Sequence, residues 1–438
     1  MSQSIDQLIF AKWIFTADHN SEVLENYGIA IHDGKIIDVD QHENLKSNYS
    51  AKQEFNLTEH ILVPGFINAH THAAMNLLKG YANDLPLMTW LEQHIWPAEG
   101  KWMSDEFVYQ GTKLAIAEML KGGTTCFNDM YFMPHQTAEA ALDTGIRTNV
   151  GLTVLDFPTK WGKDADDYIT KGLEVYDQYK HHPTINFSFA PHAPYTVSDE
   201  PLKKIATLAS QLDLTIQMHM HETQHEVTEA LKNTGQRPLA RLHQLGLLSP
   251  RFQAVHMTAL DEQDIELAAN EGIHLIHCPE SNMKLASGIC PIDAVNQAGI
   301  NIALGTDGSA SNNDLDMIGE MRSAALLAKV GSGKADCFSA KQVLAAATLG
   351  GAKALGIDEL CGSIEQGKFA DLCAVDLSHI ATQPVFDPVS QLVYSASRDQ
   401  VSHVWTSGKL QVENFKLKHI DENECRSIAD HWREKLKN

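Results

Sequence analysis

Residues 61–72 read ILVPGFINAHTH, a short apolar run that ends in two histidines, His70 and His72. Side chains on an extended strand alternate between its two faces, so these two imidazoles lie on one face and can bind one metal ion together. Three later apolar runs also end in a residue that binds metals or moves protons, namely His219, His256 and Asp307. Four such segments, in order and widely spaced, predict a shared metal site rather than core packing.

The middle of the chain alternates short apolar runs with helical patterns. The runs lie at residues 63–68, 124–130, 147–155, 185–190, 214–219, 252–257, 273–277 and 301–305. One helical pattern follows Ser104, a favourable N-cap residue, and ends at Gly122 and Gly123. Eight strand–helix repeats predict an α/β fold, a (β/α)8 barrel of the TIM type with its active residues at the C-terminal strand ends. The longest connection, residues 73–102, predicts a functional lid loop.

Both ends of the chain are rich in strand patterns. An Asp33-Gly34 turn between apolar runs predicts a hairpin near the N-terminus, and a Ser407-Gly408 turn interrupts the apolar stretch near the C-terminus. We therefore predict a small β-sandwich domain assembled from both chain ends. The predicted division is residues 1–60 plus 362–438 for this domain and residues 61–361 for the barrel.

The composition restricts the possible partners. With 438 residues, of which 43% are hydrophobic and 21% charged, the chain can bury a large core. Its net charge of −22 disfavours nucleic acid and anionic membranes but allows a small neutral or zwitterionic substrate. The seven cysteines are scattered and never spaced as CxxC, which disfavours a disulfide framework and a thiolate zinc site.

General features also predict location and assembly. The N-terminus lacks the basic region of a signal peptide, and no apolar stretch approaches the ~20 residues of a membrane span. We therefore expect a cytoplasmic protein without membrane contact. Closed homo-oligomers are common among soluble proteins, so we also expect a homo-oligomer.

Three imidazoles and one carboxylate form the predicted ligand set. His70, His72, His219 and Asp307 suit one divalent metal, Zn²⁺ or Fe²⁺, which generates hydroxide near neutral pH and polarises an electrophilic carbon. His221 competes with His219, since both lie on one strand face. His219 is favoured because it ends the apolar run. The fourth strand region, residues 184–196, contains no lysine that could be carboxylated to bridge two metals, so the site is predicted to be mononuclear.

Further strand-end residues can move protons or contact substrate. Glu222 could shuttle a proton between nucleophile and substrate, or could simply be a carboxylate at a helix N-terminus. His256 could orient the water or stabilise developing charge, or be a hydrogen-bonded core histidine. Asp307 could accept a proton from the water, and His192 could contact substrate or serve only structure.

Four motifs resemble those of the amidohydrolase superfamily, and the resemblance extends over nearly the full chain. They are PGFINAHTH (64–72), MHMHE (218–222), HCPESN (277–282) and GTDG (305–308). Within the superfamily the chain is most similar to the branch of 5'-methylthioadenosine/S-adenosylhomocysteine deaminases and triazine chlorohydrolases. LPLMTWL (85–91), WPAE (96–99) and SASNNDL (309–315) resemble the nucleoside deaminases in particular.

The resemblance implies a role for each matching residue. His70, His72, His219 and Asp307 match the metal ligands, Glu222 the acid that protonates the ring nitrogen, and His256 the histidine near the attacking water. Glu99 matches the carboxylate that accepts hydrogen bonds from the ribose hydroxyls, and His192 a substrate-contacting histidine. On the residue pattern alone Glu99 is predicted to be a solvated loop carboxylate. The implied enzyme is a metal-dependent aminohydrolase that converts adenine nucleosides to inosine-type products and ammonia.

One departure from the family pattern bears on the substrate. Some members place arginines after the third strand to hold the carboxylate of S-adenosylhomocysteine, but residues 152–167 contain none, and Arg147 lies at the wrong end of the strand. Lys160 or Lys163 could substitute, although a lysine lacks the bidentate fork. We therefore expect a preference for uncharged 5' substituents such as methylthio or hydroxyl. The alternative is a deaminase or chlorohydrolase of ribose-free rings, guanine or s-triazines, which Glu99 disfavours.

Overall fold

The computed structural model describes residues 2–437, which form two sheets and the helices that surround them. The strands are β1 (Gln3–Phe15), β2 (Val23–Glu25), β3 (Tyr27–His32), β4 (Lys35–Gln41), β5 (Tyr49–Pro64), β6 (Phe66–Thr71), β7 (Thr124–Tyr131), β8 (Arg147–Val154), β9 (Ile185–Pro191), β10 (Thr215–Met220), β11 (Phe252–His256), β12 (His274–His277), β13 (Asn301–Leu304), β14 (Leu372–Asp376), β15 (Val401–Thr406), β16 (Lys409–Glu413) and β17 (Lys416–Leu417).

The α-helices follow the same chain order. They are α1 (His42–Asn48), α2 (Leu87–Trp90), α3 (Trp96–Trp102), α4 (Asp105–Lys121), α5 (Pro134–Thr144), α6 (Ala165–Tyr179), α7 (Asp199–Leu212), α8 (Gln224–Thr234), α9 (Pro238–Gln244), α10 (Glu262–Glu271), α11 (Pro279–Lys284), α12 (Ile292–Gln297), α13 (Ser309–Asn312), α14 (Met317–Ser332), α15 (Ala340–Ala345), α16 (Gly351–Leu355), α17 (Pro388–Tyr394) and α18 (Glu422–Leu436). Within residues 2–437 no helix is both long enough and apolar enough to cross a membrane.

Strands β6 to β13 pair in sequence as eight parallel strands. The last strand meets the first just beyond β13, where the backbone N–H of Asp307 donates to the carbonyl oxygen of His70 over 3.1 Å. Each of the eight predicted apolar runs coincides with one of these strands. The prediction of a (β/α)8 barrel is therefore confirmed.

The apolar run at residues 61–68 contributes to both sheets. Its first part ends β5, which pairs with β1 and β14, and its second part begins β6 of the barrel. The chain changes sheet at Gly65, where a Cβ atom would lie only 2.2 Å from the side chain of Thr125. Glycine allows this close approach because it has no side chain. The predicted domain boundary at residue 60 stays a prediction, and the change of sheet occurs five residues later.

The two chain ends together build the second sheet, in the order β17-β16-β15-β14-β5-β1-β3-β4 with β2 on β1. Both predicted turns are two-residue hairpins with positive φ, 50° and 76° at Asp33 and Gly34 and 48° and 72° at Ser407 and Gly408. The sheet curls so that its halves face each other, since Trp405 of β15 donates its indole N–H to Gln7 of β1 over 3.0 Å. This confirms the predicted β-sandwich from both ends.

The connection at residues 73–102 contains short helical pieces, with residues 79–86 non-helical between them, and its role as a lid stays a prediction. A 3₁₀-helix over Ala73–Leu78 is followed by α2, a π-helical turn over Leu91–Ile95, and α3. Trp90 and Ile95 are buried in a separate cluster of apolar side chains. Apolar residues at helical spacing explain why the segment forms helices that pack over the barrel end.

The start of α4 agrees with its sequence pattern. Ser104 is the N-cap, and its side chain accepts the backbone N–H of Phe107 over 3.2 Å. Gly122 follows the last residue of the helix. The cap satisfies one of the free N–H groups of the first turn and defines where the helix begins.

A buried ion pair joins the barrel to the terminal sheet. The guanidinium Nε of Arg147, at the start of β8, donates to Asp371 Oδ2 over 2.9 Å, and both side chains are buried. The same guanidinium donates to the carbonyl oxygen of Pro183 over 3.1 Å and to Ser407 Oγ over 3.0 Å. Arg147 thus serves structure at the N-terminal end of the barrel, opposite to the predicted site.

Replacing Arg147 with alanine is expected to lower the free energy of unfolding by about 3–5 kcal/mol, because Asp371 then stays buried without its cation. Urea denaturation followed by circular dichroism measures this. Lys12→Ala is the matched control, since Lys12 pairs with Glu59 at the surface over 3.1 Å. Its effect is expected to stay within about 1 kcal/mol. An Arg147→Ala protein with an unchanged urea midpoint would contradict the prediction.

Candidate metal centre and active site

Four predicted ligands meet at the C-terminal end of the barrel. His70 lies on β6, His72 directly follows that strand, His219 lies on β10, and Asp307 follows β13. His219 Nε2 lies 3.1 Å from His70 Nε2, and Asp307 Oδ1 lies 3.2 Å from His72 Nε2 and 3.6 Å from His70 Nε2. All four ligand atoms lie within 4.8 Å of one another. Metal bonds of ~2.1 Å in tetrahedral geometry give ligand–ligand spacings of ~3.4 Å, so the arrangement fits one ion.

Each histidine directs its Nε2 atom into the cluster because its Nδ1 atom is hydrogen-bonded to an oxygen outside it. His70 Nδ1 lies 3.2 Å from Gln217 Oε1, His72 Nδ1 lies 2.6 Å from the carbonyl oxygen of Met130, and His219 Nδ1 lies 2.7 Å from that of His192. These acceptors require each Nδ1 to carry the hydrogen. The lone pair of each Nε2 therefore points into the cluster, as in protein metal sites with oriented histidines.

Two serines hold the carboxylate of Asp307. Ser281 Oγ donates to Asp307 Oδ2 over 2.6 Å, and Ser311 Oγ donates to the same oxygen over 2.9 Å. The backbone N–H of Gly308 donates to Oδ1 over 2.8 Å. Asp307 itself has a φ of 61°, in the left-handed region, so its backbone is held in a strained conformation. Oδ2 is thus occupied by serines, and Oδ1 faces the imidazoles.

The electrostatics of the cluster suit a cation. Burial opposes the charge of Asp307, but the facing imidazoles of His70 and His72 outweigh it and hold the pKa of this carboxyl well below its usual range. Burial likewise opposes the charge of His72, yet its bond to Asp307 raises its pKa to about 9. Burial lowers the pKa of His70 and His219, which favours neutral imidazoles. A divalent cation would displace the proton of His72, and the donor set fits zinc or iron.

Glu222 lies beside this cluster, three residues after His219. Ser287 Oγ donates to Glu222 Oε1 over 3.1 Å, and His256 Nε2 lies 3.9 Å from Oε2. Burial, with the nearby charge of Asp307, raises the pKa of Glu222 to about 8, so the buried carboxyl holds a proton at neutral pH. It can therefore donate a proton to a bound molecule.

His256 ends β11 and is fully enclosed. Its Nδ1 lies 2.9 Å from Asn282 Oδ1, which accepts the ring hydrogen and leaves Nε2 free on the side of Glu222. Burial lowers the pKa of His256, so the imidazole is neutral and can accept a proton or hydrogen bond. Its φ of 77° is again left-handed, as at Asp307.

One cavity of about 250 Å³ joins all the predicted site residues except His70. His72, His219, Asp307, Glu222 and His256 lie on its wall, together with His192 and Glu99. The rest of the wall is largely apolar and includes Leu87, Trp90, Leu91, Ile95, Met103, Leu155 and Phe157. The helical segment Leu87–Trp102 therefore covers the metal cluster and carries Glu99.

Glu99 is buried, contrary to the solvated carboxylate that its residue pattern predicts. It is 7% exposed, and the hydroxyl of Tyr131 donates to its Oε1 over 2.7 Å. Burial raises the pKa of Glu99 to about 7, although the bond from Tyr131 opposes this. A buried carboxylate in a cavity can accept hydrogen bonds from hydroxyl groups of a ligand.

His221 lies outside the cluster, on the far side of the turn after β10. Its Nδ1 lies 3.2 Å from the carbonyl oxygen of Ala259, and its Nε2 accepts the backbone N–H of Leu239 over 3.1 Å. Both ring nitrogens are thus used to hold neighbouring chain segments. The structure places His219, not His221, among the ligand atoms.

Sequence reasoning missed the side chains that hold the site residues. Tyr131 contacts Glu99, Gln217 contacts His70, Ser281 and Ser311 contact Asp307, and Asn282 contacts His256. Ser281 and Asn282 lie within the HCPESN motif but received no role. Gln217 could have been found, because it lies two residues before His219 on the same strand face.

Comparison with known proteins adds independent information. The sequence pattern of the amidohydrolase family matches residues 61–411. A 5-methylthioadenosine/S-adenosylhomocysteine deaminase from Saccharophagus degradans is 46% identical over 431 residues, which are 98% of this chain and 97% of that protein. An adenosine deaminase from Xanthomonas campestris, solved with bound zinc, is 46% identical with a TM-score of 0.99 and covers 100% of both chains. Atrazine chlorohydrolase from Arthrobacter aurescens, complexed with zinc, has a TM-score of 0.91 over 97% of this chain and 99% of its own, but its 24% identity shows the fold alone.

Proposed function

This chain belongs to the amidohydrolase family, and we propose that it hydrolytically deaminates adenine nucleosides, with 5'-methylthioadenosine as its preferred substrate. S-adenosylhomocysteine and adenosine are the further substrates. The observation that carries the proposal is one cavity that joins the four-residue metal cluster to two buried carboxyl groups, Glu222 and Glu99. Glu222 can give a proton to a ring nitrogen, and Glu99 can accept hydrogen bonds from ribose hydroxyls. The names of relatives that are 46% identical over nearly the whole chain support the same activity.

The metal would be held by His70, His72, His219 and Asp307 Oδ1. Zinc is the first candidate because a similar structure contains it, and Fe²⁺ is the second because it accepts the same nitrogen and oxygen ligands. When bound, such an ion lowers the pKa of water and polarises the carbon under attack.

The residues of the chain then move the protons. Glu222 gives its proton to the ring nitrogen next to the carbon that bears the amino group, which makes that carbon a better electrophile. Asp307 accepts a proton from the attacking water and passes it to the departing amine. His256 orients the water through Nε2, whose direction is set by the bond between Nδ1 and Asn282. As the C–N bond breaks, the hydrogen that remains on the added hydroxyl group returns to Glu222. Water and nucleoside thus yield an inosine-type product and ammonia, and both carboxyl groups regain their starting protonation.

Glu99 and His192 would bind the sugar and the rest of the nucleoside. Glu99 accepts hydrogen bonds from the ribose hydroxyls, while Leu155 and Phe157 offer an apolar surface within the same cavity. Lys160 also lines the cavity, and its Nζ donates to the carbonyl oxygen of Lys101 over 2.7 Å. A methylthio group fits these surroundings better than an amino-acid carboxylate, for which no arginine is available among the residues that line this cavity in the described chain.

Ammonia release from 5'-methylthioadenosine, S-adenosylhomocysteine, adenosine and guanine tests the proposal. For the zinc-loaded enzyme we expect kcat/KM on 5'-methylthioadenosine to exceed that on S-adenosylhomocysteine by about 10-fold, the value of one missing charged hydrogen bond. Equal use of both nucleosides would show that another group holds the carboxylate. Activity on guanine or on s-triazines without activity on any adenosine would replace the proposal by the alternative of a ribose-free substrate.

We also propose that the protein works in the cytoplasm as a homo-oligomer. All seven cysteines are buried and free, which suits a reducing compartment. Closed symmetric assembly is the common state of soluble enzymes. Light scattering coupled to size-exclusion chromatography tests the assembly, and a monomer at micromolar concentration would contradict it.

A further inference from the structure

Among residues 2–437, Tyr131 makes the one side-chain hydrogen bond to Glu99. It is the last residue of β7, it is 3% exposed, and it shares the cavity wall with Glu99. Its hydroxyl donates to Glu99 Oε1 over 2.7 Å, a normal distance for an O–H···O hydrogen bond. The two residues come from different elements, a barrel strand and the covering helix α3.

The other oxygen of Glu99 is available to a ligand. Within the described residues Oε2 accepts no hydrogen bond, yet it is not fully buried, and Glu99 lies on the cavity wall. It therefore faces the cavity. A carboxylate oxygen can accept two hydrogen bonds, which matches the two adjacent hydroxyls of a ribose.

The hydroxyl of Tyr131 acts only as a donor to this carboxylate. Burial, with the charge of Glu99, raises the pKa of Tyr131 well above its usual value, so the group stays protonated. Its single hydrogen is directed at Oε1 and fixes the rotation of the carboxylate about its last bond. That torsion is otherwise broad in glutamate side chains, so an unrestrained Glu99 would present its oxygens in many directions.

We propose that Tyr131 is a positioning residue that turns Oε2 of Glu99 toward the ribose diol, and that it thereby determines selectivity for ribonucleosides. This inference rests on the proposed function, since it needs Glu99 to bind the sugar. Packing alone does not explain the hydroxyl. The ring of Tyr131 lies edge-on to Phe132 with centroids 5.4 Å apart, a contact that phenylalanine would keep.

The test compares adenosine with 2',3'-dideoxyadenosine for the wild-type enzyme and for Tyr131→Phe. We expect Tyr131→Phe to lower kcat/KM on adenosine by about 10-fold, mainly through KM, because a charged hydrogen bond orients the acceptor. On the dideoxy analogue, which has no hydroxyls for Glu99, the loss is expected to stay below about 2-fold. The ratio of kcat/KM on adenosine to kcat/KM on the dideoxy analogue is therefore expected to fall in the variant.

Three further variants make the test decisive. Tyr109→Phe is the matched control, since Tyr109 donates to Asp143 over 2.7 Å outside the cavity, and its selectivity should equal that of the wild type. Tyr131→Met, a second hydroxyl-free variant, replaces Tyr131→Phe if that protein is poorly soluble, and it should show the same loss of selectivity. In a Glu99→Gln background the substitution of Tyr131 should have little further effect, because the two residues act as a unit.

Each remaining outcome has a defined meaning. Equal losses on both substrates in Tyr131→Phe would show that the tyrosine serves packing only, and would overturn the inference. A wild-type enzyme that deaminates both substrates equally well would also overturn it, since Glu99 then does not bind the diol. No deamination of any adenosine by zinc-loaded wild-type enzyme would instead overturn the proposed function.

Discussion

Replacing Glu222 with glutamine is expected to lower kcat by about 10³-fold with little change in KM, because general acid catalysis contributes about 10²–10⁴-fold. Glutamine has nearly the same shape, so the bond from Ser287 to the Oε1 position can persist. An amide cannot deliver a proton to a ring nitrogen at neutral pH. The loss should therefore fall on the chemical step rather than on binding.

The measurement is steady-state ammonia release together with the zinc content of the purified variant. Glu222 is not one of the four clustered ligand residues, so Glu222→Gln should retain the wild-type zinc stoichiometry. Glu200→Gln is the matched control, because the side chain of Glu200 is 84% exposed on α7 and its one ion pair within residues 2–437 is with Lys203. A Glu222→Gln enzyme that keeps more than a tenth of the wild-type kcat would exclude Glu222 as the proton donor.

The barrel could be predicted because its strands carry their own signal. Buried parallel strands are continuous apolar runs, and β6, β10 and β11 each carry a histidine at or near the end that faces the site. The hairpin turns at Asp33-Gly34 and Ser407-Gly408 could also be predicted. A turn with positive φ at two successive residues favours pairs of a small polar residue and glycine. Strands and turns of this kind depend on local sequence, so they could be predicted without knowledge of tertiary contacts.

The covering segment could not be predicted for the opposite reason. Residues 87–102 form three short helical pieces whose stability depends on contacts with side chains far along the chain, such as Leu285 and Trp432. A periodic pattern of so few turns is hard to distinguish from a loop rich in apolar residues. The change of sheet at Gly65 was hidden as well, because it depends on Thr125 in the next strand.

In the candidate site, too, residues with a local sequence signal could be predicted, and residues that depend on tertiary contacts could not. The clustering of the four predicted ligand residues could be predicted because each ends an apolar run, but the residues that orient them come from distant segments. Ser281 is 26 residues from Asp307, and Tyr131 is 32 residues from Glu99. No local sequence pattern predicts a contact between residues so far apart in the chain. A site role for Glu99 was predicted only through resemblance, since its burial arises from the fold of the covering helices over the barrel.

Replacing Asp307 with asparagine is expected to have the largest effect, a loss of kcat of at least about 10⁴-fold, because it removes both a metal ligand and the proposed proton acceptor. The carboxylate is the one anionic member of the cluster. An amide oxygen in its place leaves three neutral imidazoles to hold a divalent cation, and Ser281 and Ser311 lose the charge to which they donate.

The zinc content of Asp307→Asn after dialysis separates the two roles. We expect it to fall well below one ion per chain, measured by inductively coupled plasma mass spectrometry, while Asp336→Asn at an exposed position keeps the wild-type content. Thermal unfolding gives a second readout: added zinc should raise the Tm of the metal-free wild type and leave that of Asp307→Asn nearly unchanged, since a ligand stabilises only the state that binds it. A variant that retains one zinc and also deaminates at the wild-type rate would refute both roles. Full zinc with abolished activity would leave Asp307 as a proton acceptor, because the imidazoles alone then suffice to bind the ion.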